Sequence, residues 1–145
     1  MESDSLPHQR RSILAAIEMS LPQSDVASLV ERGVQYSVSA EANMTCVVLG
    51  NYVLPFGYNV SKTDLLLRLP SGFPDVPPDM WWFSPPVQLA DGRVVRATEQ
   101  TEHHLGRPWQ RWSRHFNAGQ WRSGIDSLES FLALIRKELE RCAKN

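Results

Sequence analysis

The chain has 145 residues, a formal net charge of −1 and two cysteines, and 42% of its residues are hydrophobic. This length suits a single domain over residues 1–145 with a real core, and the near-neutral charge argues against nucleic acid or an acidic membrane as the partner. Two cysteines exclude a disulfide framework, and no apolar run reaches membrane-spanning length. Because the N-terminus has no signal-peptide pattern, we expect a soluble, cytoplasmic protein whose residues 1–10 are disordered.

The N-terminal part predicts two short helices. Apolar residues at helical spacing suit a helix over 12–19. A second helix is predicted over 25–32, with Ser24 or Asp25 as its N-terminal cap and Gly33 as its stop.

The central part predicts an antiparallel sheet. Apolar or alternating runs predict strands at 34–39, 44–52, 63–69 and 80–83. The last two runs are joined by the segment Phe-Pro-Asp-Val-Pro-Pro at 73–78, which its prolines keep extended. The four strands are expected in sequential order, with the adjacent Trp81 and Trp82 facing opposite sides of the last one.

The C-terminal half ends in the clearest helix of the sequence. A helix over 126–142 is predicted because apolar residues recur there at helical spacing: Leu128, Phe131, Leu132, Ile135 and Leu139. Asp126 and Glu129 form a variant of the capping box at its start. Residues 87–106 have no clear periodicity, so a long irregular loop is expected before this helix.

The proline-rich connection and the two strands beside it resemble the ubiquitin-conjugating enzyme superfamily, in which an aromatic-Pro-x-x-Pro-Pro loop joins the third and fourth strands. Trp121, a short spacer and an apolar helix are similar to the C-terminal half of that superfamily. The whole pattern, over residues 26–139, most resembles its divergent bacterial branch, the prokaryotic family E type. The resemblance implies an α+β, UBC-like fold with an N-terminal helix, a four-stranded antiparallel meander and a C-terminal helix.

The resemblance also indicates where reactive residues would stand. In the superfamily a cysteine lies about eight residues before the tryptophan, with a His-Pro-Asn triplet about ten residues earlier. Counting back from Trp121 reaches Ser113 and then His103, and residues 109–115 contain no cysteine. A family member lacking the catalytic cysteine is therefore implied. A serine nucleophile at Ser113, with His103 or His115 as its base, is the alternative.

The two cysteines and the remaining histidines have simpler explanations. Cys46 lies in a predicted strand and is expected to be buried there, and Cys142 is expected to be an exposed bystander at the helix end. The downstream histidines and Asp91 lack the ligand spacing of a metal site. We therefore predict no metal and no cofactor.

Arginine and tryptophan are concentrated in residues 107–122, an interleaving that favours cation–π contacts. Such a segment can be a partner surface, can stack single-stranded bases, or can hold a long loop in place. Trp121 is expected to be its most buried residue. Partner binding is predicted for Trp109, Arg111, Trp112 and Arg114.

These features predict a ubiquitin-conjugating-enzyme-like protein of a bacterial ubiquitin-like conjugation pathway. By resemblance, it would bind the ubiquitin-like protein or its activating enzyme without thioester chemistry, and no nucleic acid or membrane partner is expected. A transferase using Ser113 or His103/His115, and a plain protein-interaction domain, are the alternatives.

Overall fold

The computed structural model describes residues 21–117 and 119–144. These residues form two helices and six strands, in the order α1 (Gln23–Arg32), β1 (Gln35–Glu41), β2 (Met44–Val53), β3 (Lys62–Leu69), β4 (Trp81–Ser84), β5 (Thr101–His104), β6 (Arg107–Trp112) and α2 (Leu128–Ala143). Neither helix is long and apolar enough to cross a membrane. The helix predicted at 12–19 and the disorder predicted at 1–10 lie outside the described residues.

All six strands form one antiparallel sheet in the order β1-β2-β3-β4-β6-β5. The first four strands follow one another along the sheet, as predicted, and the α+β, UBC-like fold is confirmed. The predicted number of strands is wrong, because β5 and β6 extend the sheet beyond β4.

The extra strands form a hairpin in a region that was expected to be irregular. His104 of β5 pairs with Arg107 of β6, which leaves Leu105 and Gly106 as a two-residue turn. Both turn residues have positive φ, 54° and 78°, the backbone twist that tight hairpins favour. Apolar alternation does not predict β5, because the residues of this strand are polar.

The main core lies between one face of the sheet and α2. Its centre consists of large side chains that are at most 1% exposed, namely Leu65, Leu67, Trp81, Phe83, Trp112, Phe131 and Ile135. The other face of the sheet carries a smaller cluster of Cys46, Leu66, Trp82 and Trp109. Trp81 and Trp82 therefore face opposite sides, as the strand period predicts.

Helix α1 begins at Gln23, so the prediction that Ser24 or Asp25 caps it is wrong. Asp25 instead turns inward, where its Oδ1 accepts a hydrogen bond from the backbone N–H of Leu128 at 3.2 Å. It therefore satisfies a backbone N–H at the start of α2 rather than one in its own helix. The predicted stop at Gly33 is confirmed by its left-handed φ of 67°.

Helix α2 begins later than predicted, and the capping box proposed for Asp126 and Glu129 is wrong. The backbone N–H of Ser127 donates to the Ser130 hydroxyl at 3.1 Å. Asp126 accepts a hydrogen bond from the backbone N–H of Arg122 at 2.6 Å, which tightens the turn before the helix. The capping box at the start of α2 is therefore formed by Ser127 and Ser130.

Candidate functional site

Ser113, the residue at the expected position of the nucleophile, directly follows β6. Its Oγ accepts a hydrogen bond from Arg111 Nε at 2.9 Å, and its backbone N–H donates to the Ala97 carbonyl at 3.0 Å. Neither predicted histidine hydrogen-bonds to the hydroxyl within the described part of the chain. A serine needs an adjacent base to become nucleophilic, and this geometry provides none.

The candidate histidines point to separate environments. His103 is exposed on β5. His115 is exposed too, and its Nδ1 lies 2.8 Å from Asp79 Oδ1. The three predicted catalytic candidates are therefore not brought together. Nor do any three His, Cys, Asp or Glu residues between 21 and 144, leaving aside residue 118, group in a way that would hold a metal ion.

The two cysteines lie outside the segment that leads from β6 to α2. Cys46 is fully buried in β2, as predicted, and burial raises the pKa of its thiol, which keeps it protonated. Cys142 is half-buried rather than exposed, so the expectation of an exposed bystander is wrong. Its Sγ lies 3.7 Å from Arg141 Nη2 and 4.0 Å from Arg114 Nη2. The end of α2 packs closely enough against the rest of the chain to half-cover this side chain.

The predicted tryptophan surface is largely interior. Trp109 and Trp112 are 1% and 0% exposed because β6 lies inside the sheet, between β4 and β5. Trp121 is only half-buried, so the expectation that it is the most buried of the segment is wrong. It lies beyond the sheet, where its Nε1–H donates to the Pro74 carbonyl at 2.8 Å and ties the proline-rich loop to the turn before α2.

Arg111 belongs to a polar network on the face of the sheet opposite α2. Its Nη1 lies 2.7 Å from Glu102 Oε2, and the other oxygen, Oε1, accepts a hydrogen bond from Trp82 Nε1 at 2.9 Å. The ring of His104 contacts the same carboxylate through Nε2 at 3.0 Å. Burial acts to raise the pKa of Glu102, but these hydrogen bonds outweigh it and hold that pKa below its ordinary value.

Arg114 belongs to a second network, on the α2 side. Its Nε lies 2.6 Å from Glu138 Oε2, and Arg141 donates to both oxygens of the same carboxylate at 2.7 and 2.9 Å. The hydrogen bonds from Arg141 are the main reason that the pKa of Glu138 is lowered; burial opposes them and Arg114 adds to them. The guanidinium of Arg114 also lies over the Trp112 ring, 5.2 Å from its centroid.

The structure shows one site that sequence analysis missed. A cleft of about 380 Å³ opens between the segment that follows β6 and the outer side of α2. Its lining consists of Trp81, Arg114, His115, Phe116, Asn117, Gln120, Phe131, Leu134, Lys137, Glu138 and Arg141. These residues come from β4, a loop and α2, so no local pattern could have joined them. Residues 114–117 and Gln120, in the segment that follows Ser113, form one wall.

The helices, the meander and the cleft beside the segment that follows β6 define a protein of the ubiquitin-conjugating fold class. The family model Prok-E2_E, described as prokaryotic E2 family E, matches residues 21–142. The chain belongs to this family, and membership associates it with ubiquitin-like conjugation. A search of curated proteins and a search of solved structures each returned no match.

Proposed function

We propose that this chain acts in a bacterial ubiquitin-like conjugation pathway by binding the ubiquitin-like protein or its activating enzyme, without carrying a thioester. One observation supports the proposal most directly. The segment that leads from β6 to α2, where the superfamily keeps its nucleophile, contains no cysteine. Of the two thiols elsewhere, Cys46 is fully buried in β2 and Cys142 is half-buried in the last turn of α2, where it contacts Arg141 and Arg114.

The geometry at Ser113 argues against the alternative of a serine-dependent transferase. Its hydroxyl accepts a hydrogen bond from Arg111, and none of the histidines that the structure describes hydrogen-bonds to it. An oxygen ester would also be a poorer acyl donor to an amine than a thioester. A plain interaction domain is the third possibility, and it predicts no affinity for a ubiquitin-like protein.

The test combines an intact-mass measurement with a binding titration. The purified chain is incubated with the activating enzyme, the ubiquitin-like protein and ATP, and its intact mass is measured before and after hydroxylamine treatment. We expect no covalent adduct, together with saturable binding of the ubiquitin-like protein or the activating enzyme in a calorimetric titration. An adduct that disappears in Ser113→Ala would establish the transferase, and an adduct lost in Cys46→Ala or Cys142→Ala would establish a relocated thiol. Absence of binding to both proteins would leave the plain interaction domain.

A further inference from the structure

Strand β1 forms an open edge of the sheet. Among the residues that the structure describes, it pairs only with β2. Its outer side therefore carries backbone N–H and C=O groups that have no strand partner in that part of the chain. The strand is seven residues long and contains no proline, lysine or arginine, the residues that commonly keep an edge strand from pairing. Its length and composition thus suit the addition of another strand.

The opposite edge of the sheet, β5, is built differently. It has only four residues, and three of them are titratable: Glu102, His103 and His104. Short length and charged side chains are among the features that prevent pairing at an edge. The edge that is open to a partner strand is therefore that of β1.

The only charged side chain of β1 is already engaged within its own chain. Glu41 Oε2 accepts a hydrogen bond from the backbone N–H of Leu105 at 2.9 Å, and Glu41 Oε1 lies 3.3 Å from His104 Nδ1. Arg68 Nη2 lies 3.7 Å from the same Oε1. These contacts hold the carboxylate over the face of the sheet opposite α2. A carboxylate that is engaged in this way opposes the approach of a second strand less than a free one does.

The side chains of β1 are complementary to those of an antiparallel copy of the same strand. The register that pairs all seven residues places Val38 opposite Val38 of the second copy. Residues opposite each other in antiparallel strands lie on the same face and contact each other. In this register a ring meets a small side chain, two hydroxyls meet, and an amide meets a carboxylate: Tyr36 with Ala40, Ser37 with Ser39, and Gln35 with Glu41. No like charges are opposed, so the occupant that the strand fits best is a second copy of this chain.

We propose that β1 is the interface of a homodimer, in which the β1 strands of two copies pair antiparallel about Val38 and join the two sheets into one. Val38 belongs to the core between the sheet and α2, so pairing it with its counterpart aligns the core faces of the two copies. Both α2 helices then lie on the same side of the joined sheet, and so do the two clefts. The inference goes beyond the proposed function and does not depend on it, because the dimer forms without any other protein.

The first test is sedimentation velocity of the whole chain over a range of concentrations, where we expect a shift from monomer to dimer as the concentration rises. Ser37→Lys/Ser39→Lys opposes like charges across the interface and should weaken dimerisation about tenfold or more. The control, Thr101→Lys/His103→Lys, makes the same change at exposed residues of β5 and should dimerise as the parent does. A parent that stays monomeric at every concentration would overturn the inference. So would a β1 variant that dimerises like the parent.

A charge-reversed variant tests the register. Ser37→Glu/Ser39→Glu should also dimerise poorly by itself, but an equal mixture with Ser37→Lys/Ser39→Lys should restore the dimer, because opposite charges then face each other at both pairs. Circular dichroism of each variant establishes that it is folded. A mixture of folded variants that associates no better than either variant alone would refute antiparallel pairing about Val38.

Hydrogen exchange of the parent protein gives a readout that does not depend on any variant. The backbone amides of β1 should exchange more slowly at concentrations where the dimer is populated than at those where the monomer is, while the amides of β5 should not change. Exchange in β1 that stays the same when the dimer forms would place the interface elsewhere. Protection of the outer amides of β1 at all concentrations would show that another segment of the same chain covers this edge, and the proposed dimer would be wrong.

Discussion

The carboxylate of Asp25 in α1 accepts a hydrogen bond from the backbone N–H of Leu128, the first residue of α2, at 3.2 Å. The two residues are 103 positions apart in the chain. Asp25 is only 1% exposed, and its second oxygen has no hydrogen-bond partner within the described structure. One aspartate thus joins α1 to the start of α2, and its carboxyl group is left buried with only one of its two oxygens hydrogen-bonded.

The burial of Asp25 predicts a pH-dependent contribution to stability. Burial raises its pKa above the ordinary 3.8, an effect that the Leu128 N–H only partly offsets. A raised folded-state pKa means that this contribution is complete below 3.8 and is lost as the pH rises through the folded value. We therefore expect Asp25→Asn to be more stable relative to the parent at about pH 7 than at about pH 4, where stability is the free energy of unfolding.

Urea titrations at the two pH values measure this difference. The matched control is Glu31→Gln, which removes an exposed carboxylate from the same helix and should show the same offset from the parent at both pH values. The interpretation fails if the offset of Asp25→Asn is also independent of pH.

Trp112 and Trp121, which flank the loop residues that line the cleft, should differ in their contribution to stability. Trp112→Ala removes a side chain that is 0% exposed and should lower the unfolding free energy by about 3–5 kcal/mol. Trp121→Ala should cost less, because this side chain is half-buried and its neighbours Phe73 and Phe116 are only partly buried themselves. Chemical denaturation of both variants gives the ranking, and an equal or larger loss for Trp121→Ala would contradict it.

Arg114, for which partner binding is predicted from the sequence, should also be needed for stability. Its side chain and that of Glu138 are 13% and 17% exposed, and they meet at 2.6 Å. Arg114→Ala is predicted to cost about 1.5–3 kcal/mol, the range for hydrogen bonds to charged groups. A double-mutant cycle with Glu138→Gln should show coupling, since both single variants break the same contact.

Arg122→Ala is the control for that cycle, because the Arg122 side chain is 63% exposed and its pair with Asp126 is long, at 3.5 Å. Exposed pairs of this kind contribute about 0–1 kcal/mol. If Arg114→Ala were as mild as Arg122→Ala, the contact with Glu138 would not be contributing to the fold.

The two thiols should differ in reactivity. Cys46 is fully buried and its pKa is raised, whereas Cys142 is half-buried at the end of α2. Under native conditions iodoacetamide should modify Cys142 well before Cys46, and Cys142→Ser should remove the fast phase that intact mass detects. Rapid labelling of the Cys142→Ser protein would show that the sheet opens around Cys46.

The first four strands and both described helices were predictable because their signals are local. Apolar alternation and the proline-rich connection determine β1 to β4 without reference to the rest of the chain. The hairpin of β5 and β6 was missed because Glu102, His104 and Arg111 look like solvent-facing residues. They are polar residues that satisfy one another on a sheet face, a pairing that appears only after the strands come together.

The candidate site was harder to predict from the sequence for the same reason. The absence of a cysteine from the segment around Ser113 can be read from the sequence alone, but the burial of Trp109 and Trp112 depends on where β6 lies in the sheet. Nothing in the sequence marks Lys137 as part of a cleft. Its position opposite the segment that follows β6 requires the packing of α2 on the sheet.

The side chain of Gln110, in β6, carries a consequence for the order in which the chain folds. Its Oε1 accepts from the Val87 N–H at 2.7 Å, and its Nε2 donates to the carbonyls of Val87 and Thr98 at 3.1 Å each. These bonds replace strand pairing for the long connection between β4 and β5, which precedes Gln110 in the chain. Gln88 and Ala90 of that connection bond to Asn59 and Gly57, which are synthesised earlier, whereas the bonds at Val87 and Thr98 cannot form until Gln110 has left the ribosome and β6 has formed.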